Sequence, residues 1–166
     1  MSNGFYKVGA AVRQDQLVQI GQKNWLLIFG FCNDEEIGGY NWRKNYGHKP
    51  TLAELKADVD ELVNCRTDGK ILSGFVWNGK PVWLSVENQF NFKAAYDLAV
   101  QSSGGTLPVT FKLGEDGDGN AVYHTFETMD DFTDFYSKAI QWVNSCIADG
   151  WKEKDGVDYE KLSGDV

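Results

Sequence analysis

The sequence has little of what would assign it a chemistry at once. Its 166 residues include two histidines, three cysteines and three prolines, and the net charge of −8 leaves no basic stripe along the chain. Phosphate recognition rewards clustered Lys and Arg, so nucleic acid is not an expected partner. The acid excess is concentrated from Gly114 onward, where 13 Asp and Glu face 4 Lys, whereas residues 1–113 carry 11 acids and 12 bases. That distribution suits a solvated acidic face or a partner with a basic one. Cys32, Cys65 and Cys146 are far apart and in no metal-ligand spacing. An odd count without a secretory signal reads as reduced thiols packed as small hydrophobes. Long apolar runs are missing as well. Residues 25–32 form the longest, are broken by Gly30, and fall far short of the ~20 residues that span a bilayer. The expectation is a chain with no membrane partner, made in the cytoplasm.

Aromatic side chains are what the sequence does have. Phe, Trp and Tyr make up 14% of a chain that is 42% hydrophobic, which excludes a disordered polypeptide. The length suits one domain with a real core. Six tryptophans are more than such a core buries easily, so part of the aromatic load is expected in a groove or subunit interface.

Residues 71–85, ILSGFVWNGKPVWLS, organise the rest. Two β-prone runs flank Asn78-Gly79, the dipeptide that most readily supplies the paired positive φ angles of a type I′ turn. The implied hairpin puts Phe75 and Trp77 on one face, with Val82 and Leu84 alternating against Trp83. Ser85 is a helix N-cap with Glu87 in the first turn, and the following helix to about Ser102 carries Phe90, Ala94 and Leu98 on one face.

Upstream, residues 1–11 read as an arm holding the pair Phe5-Tyr6, and residues 16–20 and 25–32 as a second hairpin. Residues 33–50 read as a long polar, glycine-rich connection bearing Tyr40, Trp42 and Tyr46 beside Arg43, Lys44 and Lys49. Loops of this length tend to carry function, which makes Phe5, Tyr6, Tyr40, Trp42, Arg43 and Tyr46 the candidate interaction surface. Thr51 to Glu54 form a capping box for a helix to about Asn64, and Asp68-Gly69 is expected to turn the chain into the central hairpin. Downstream, residues 107–113 and 121–126 form a third hairpin. Thr128 caps a long helix to about Asp149, with Gly150 as its C′ residue, and a polar tail follows.

No catalytic residues and no cofactor are indicated. Asp116, Asp118, Asn120 and Glu127 fall at oxygen-ligand positions of a calcium loop, but Ala121 stands where that loop needs Gly, and residues 122–126 alternate as a strand. A polar hairpin tip has the same composition for turn reasons, so a metal is not expected. His48 and His124 lack the spaced partners that zinc requires.

The runs GYNWR and HKPT (residues 39–43 and 48–51), residues 71–99, LPVTFKLG and VYHTF (107–114 and 122–126), and the FY, AI and GW pairs of the last helix resemble a domain family of unassigned function. It is found in bacteriophages and prophages, often beside tail-fibre or other virion genes, in the form seen in phages of gut Bacteroidota, including the crAss-like phages. The resemblance covers about residues 38–162 and is strongest over residues 70–126. It has no catalytic residues to carry over. It implies a structural domain over residues 38–166, with residues 1–37 as an N-terminal arm and hairpin able to carry attachment to the particle. The expected fold is α+β, antiparallel hairpins forming a sheet with about three helices mainly on one face. The expected role is that of a non-enzymatic virion protein, head-fibre, capsid-decorating or tail-fibre-associated. It is localised to the virion, contacts other virion proteins and self-associates as a dimer or trimer. Two other roles compete, a module reading host-surface glycan with Tyr40, Trp42 and Tyr46, and a small hydrolase using His48 or His124.

Overall fold

Asn78 and Gly79 take φ values of 49° and 74°, the left-handed pair that a type I′ turn demands, and the chain reverses there as the sequence predicts. The structure is a computed structural model describing residues 4–34 and 38–164. Its elements in order are β1 (Tyr6–Gly9), β2 (Gln16–Gln19), β3 (Trp25–Asp34), β4 (Gly38–Tyr46), α1 (Leu52–Ser73), β5 (Phe75–Trp77), β6 (Lys80–Val82), α2 (Val86–Gln101), β7 (Val109–Glu115), β8 (Ala121–Phe126), α3 (Met129–Asp155) and α4 (Tyr159–Ser163). The fold is α+β, with a four-stranded antiparallel sheet, two further hairpins and, among the described residues, four helices. No helix among them is long and apolar enough to cross a membrane.

The chain forms two compact units. One combines the residues up to Cys65 with those from Gly150 onward, and the other spans Arg66–Asp149. The boundary expected between residues 37 and 38 is not where the fold divides. β4 begins at Gly38 and pairs with both β1 and β3, so residues from each side of that point lie in one sheet.

In the first unit the strand order is β1-β4-β3-β2. The β2–β3 hairpin is the one read from the sequence. Two expectations are corrected. The N-terminal arm is an edge strand, with Tyr6 opposite Arg43 and Gly9 opposite Tyr40, and Phe5 is buried at its start; the arm's residues 1–3 lie outside the described residues. The polar connection is largely β4, an interior strand, because its aromatic residues alternate with polar ones at the strand period; residues 35–37 of that stretch also lie outside. A register shift between Phe29 and Phe31 accommodates Gly30, whose φ of 69° marks a β-bulge. Leu55, Val59, Leu62 and Val63 of α1 pack with Leu27, Phe29 and Leu162. The capping box forms: Thr51 N–H donates to Glu54 Oε2 at 2.7 Å, and Glu54 N–H to Thr51 Oγ1 at 3.2 Å. The tail docks through α4, whose N-cap Asp158 accepts from Lys161 N–H at 3.0 Å.

In the second unit, α1 continues through Asp68-Gly69 and ends at Ser73, where the sequence suggested a turn followed by a strand. An isolated glycine costs a helix only about 1 kcal/mol. The Lys70 carbonyl near the end of the helix accepts from both Gly74 N–H at 2.9 Å and the Trp142 indole at 3.2 Å. The hairpin is correspondingly short, but its faces are as expected: Phe75, Trp77, Val82 and Leu84 are buried while Val76 and Trp83 are exposed. Trp83 N–H donates to Leu113 O at 2.7 Å and ties this hairpin to β7. The caps at Ser85 and Thr128 form. α3 passes through Gly150, the expected terminus, and closes at Gly156, whose N–H donates to Lys152 O at 3.1 Å.

Two glycines in this unit have opposite steric surroundings. A Cβ on Gly114 lies 2.8 Å from the Pro81 carbonyl oxygen, a backbone atom that cannot step aside, whereas one on Gly69 meets nothing within 4 Å. Gly114→Ala is therefore expected to destabilise the protein by about 1–3 kcal/mol, and Gly69→Ala to stabilise it by about 0.5–1 kcal/mol. Urea titrations of both variants check the pair; a neutral Gly114→Ala removes the close approach.

Candidate functional site

The aromatic surface expected from the sequence does not assemble. Tyr40, Trp42, Lys44 and Tyr46 alternate onto one face of β4, and Phe5, Tyr40 and Tyr46 are 8%, 7% and 9% exposed. The Tyr46 hydroxyl donates to Asp58 at 2.5 Å, and Lys44 Nζ donates to the other Asp58 oxygen at 2.7 Å. Burial, then the Asp58 carboxylate, pushes the Tyr46 hydroxyl far above its ordinary pKa. Lys7 Nζ lies 4.6 Å from the Tyr40 ring centroid and 5.7 Å from that of Trp42. Arg43 lies on the opposite face, in register with Tyr6 and Ile28. Tyr6 alone of the candidate tyrosines is exposed, and its hydroxyl accepts from Asn45 at 3.2 Å. Among the described residues, Asn41, Trp42 and Arg43 each keep a buried polar atom without a hydrogen-bond partner, so this strand is costly to build. The sequence signal that separates this strand from a loop is its period of two.

The calcium candidates are divided by a strand. Asp116 caps the β7–β8 turn, accepting from the N–H groups of Asp118 at 3.0 Å and Asn120 at 2.8 Å, and the Asn120 bonds hold its carboxyl below the usual range. Glu127 follows the far end of β8, six strand residues from the tip. Among the described residues no group of three His, Cys, Asp or Glu is placed to hold a metal ion. Burial of Cys146 raises its pKa.

The two histidines lie in separate settings. His48 Nε2 is 3.0 Å from Glu54 at an exposed helix start. His124 is more enclosed: its Nε2 is 2.8 Å from Asp131 Oδ2 and its Nδ1 is 2.8 Å from Lys80 Nζ, with the Trp77 ring at 4.8 Å. Lys80 donates to an imidazole nitrogen, so the other nitrogen carries the proton and donates to Asp131. Each ring nitrogen thus lies 2.8 Å from a charged side chain, and the arrangement ties β8 to the β5–β6 turn and α3.

The feature that sequence reasoning did not single out as a surface is on α2. Phe90, Ala94 and Leu98 were expected as one face of the helix, and they form one, but it points away from the core. Val86, Phe90 and Leu98 are 84%, 70% and 54% exposed. The packed face is Phe92, Ala95, Tyr96 and Ala99, set against α3 and the hairpins. Phe92 meets Phe111 and Phe135 edge-on at 5.0 and 5.1 Å, and Tyr96 stacks on Tyr136 at 4.5 Å. Both faces of the helix are apolar. An apolar groove lined by Leu84, Phe92, Tyr136, Ala139, Ile140 and Val143 borders it, and Ile140 is 44% exposed. This outward ridge is the best candidate for a functional surface.

Two measurements test these assignments. Phe92→Ala is expected to cost about 3–5 kcal/mol, while Phe90→Ala in dilute solution changes stability by less than about 0.5 kcal/mol. Equal effects reverse the assignment of faces. The second test concerns Glu54, whose carboxyl is lowered to about 2 by the Thr51 N–H and hydroxyl and then by His48. A lowered folded-state pKa adds stability above the unfolded value and loses it as pH falls through the folded one. The stability difference between wild type and Glu54→Ala is thus expected in full at pH 7 and to shrink between the ordinary value of 4.5 and about 2. Denaturant titrations across that range read it, and a pH-independent difference removes the contribution of the Glu54 charge. Comparison of the chain with family models, with curated proteins and with solved structures finds no match.

Proposed function

We propose that this chain is a bacteriophage virion protein that works through protein–protein contacts and self-association, with no catalytic role. It belongs to the head fibre, the capsid decoration or a tail-fibre assembly, and its partners are other virion proteins. The sequence resemblance over residues 38–162 supports the setting. The observation that carries the contact role is the outward ridge of α2. Val86, Phe90 and Leu98 are each more than half exposed on one helix whose opposite face already fills the core. Exposed apolar residues in a contiguous row mark contact surfaces.

The competing readings have less support. Glycan recognition on residues 40–46 needs rings offered to solvent, and Tyr40 and Tyr46 are buried. A hydrolase built on His124 needs a nucleophile at a ring nitrogen, and the side chains placed there are Asp131 and Lys80. Immunogold labelling and mass spectrometry of gradient-purified particles test the proposal. The chain is expected at a constant number of copies per particle. Its presence in infected lysate but absence from purified particles overturns the virion assignment.

A further inference from the structure

We propose that the outward ridge of α2 is where two copies of this chain meet, crossing antiparallel about a two-fold axis at Ala94. The inference rests on the self-association in the proposed function and names its surface. Residues four apart on a helix form a continuous ridge, and Val86, Phe90, Ala94 and Leu98 make one along the whole of α2. Ala94 is the third of these four residues and stands near the middle of α2, with the larger Phe90 and Leu98 on each side. A small residue at the crossing point lets two helices approach closely. The axis then places Phe90 against the partner's Leu98, and Leu98 against the partner's Phe90.

The charges around the ridge fit this crossing. Glu87 falls opposite the partner's Gln101, so no like charges oppose each other. Lys93 and Asp97 pair at 2.5 Å within one chain and lie one turn apart on the same flank. With a rise of 1.5 Å per residue, a two-fold at Ala94 brings Lys93 to within about 3 Å along the axis of the partner's Asp97. Each ion pair can therefore exchange across the interface without breaking. The exposed parts of Val86, Phe90 and Leu98 present apolar surface on the order of 400 Å². With the polar rim of Glu87, Asn91, Lys93 and Asp97 this approaches the roughly 800 Å² per partner of a stable interface. A surface complementary to itself in shape and charge selects a second copy over an unrelated partner.

Sedimentation velocity and light scattering on the full chain test the proposal, with circular dichroism to confirm folding. Wild type is expected to be a dimer, and Phe90→Asp to weaken it at least about 30-fold while remaining folded. Ala94→Cys is expected to give a disulfide-linked dimer on mild oxidation, whereas wild type with its three native thiols does not. A dimer that survives Phe90→Asp and does not cross-link through residue 94 overturns the ridge and leaves self-association standing. A trimer overturns the two-fold. A wild-type monomer at about 0.1 mM removes self-association as well, and particle labelling then judges the virion assignment separately.

Discussion

The placement of the Trp77 ring is the constraint on which the second unit depends. The turn at Asn78-Gly79 makes Trp77 and Lys80 cross-strand partners and sets which strand residues face inward. Trp77 is 2% exposed, and burying an indole of roughly 200 Å² at ~25 cal/mol per Å² contributes up to about 5 kcal/mol. That gain holds only if the indole N–H finds an acceptor. Asp134 on α3 supplies it at 2.9 Å, and Lys138 and the indole together keep the Asp134 carboxyl below its usual range. The ring also meets His124, Phe126 and Phe135 at centroid distances of 4.8, 5.7 and 5.2 Å. Lys80, on the other side of the turn, reaches His124, which is itself held by Asp131. Both residues flanking one turn thus bind the hairpin to β8 and α3.

The first unit solves the same problem with charge. Lys44 and Tyr46 are two residues apart, so they share a face of β4, and both end on the Asp58 carboxylate of α1. The Lys44 and Asp58 side chains are 17% and 14% exposed. A pair so enclosed adds little net stability over an apolar substitute, but losing one partner strands the other and costs several kcal/mol. A slip of one residue in β4 turns Arg43 and Asn45 toward the helix and leaves Asp58 without either partner. The ion pair therefore acts mainly against wrong registers.

The parts of the fold that were legible in the sequence are those set by local chemistry. The I′ turn, the Ser85 and Thr128 caps and the Thr51 capping box each depend on a few adjacent residues, and each forms. Where expectations failed, distant contacts overrode a local signal. Gly69 and Gly150 look like helix ends, yet α1 and α3 run through them, because one glycine costs less than the packing of the following turns gains. Polar and glycine-rich composition suggested a loop over residues 38–46, although the alternation of Tyr40, Trp42, Lys44 and Tyr46 against polar neighbours is that of a strand. The candidate surface failed for the same reason. Its rings were selected by composition, and pairing with β1 and β3 turned most of them inward.

The outward ridge of α2 shows why a helix with two apolar faces cannot be oriented from its own sequence. Phe90, Ala94 and Leu98 recur at helical spacing as well as Phe92, Ala95, Tyr96 and Ala99 do, so periodicity offers both faces equally. The partners decide between them. Phe92 and Tyr96 find Phe111, Phe132, Phe135 and Tyr136 in edge-on and stacked geometries that only planar rings can use. Ala95 and Ala99 allow the helix to lie close enough for those contacts. Once that face is buried, the helix geometry obliges Val86, Phe90 and Leu98 to point outward, and an isolated chain gains nothing from leaving Phe90 70% exposed. A polar residue at any of these positions leaves the core as it is. The core therefore places no demand on the apolar character of this row, which is left to the contact we propose for it.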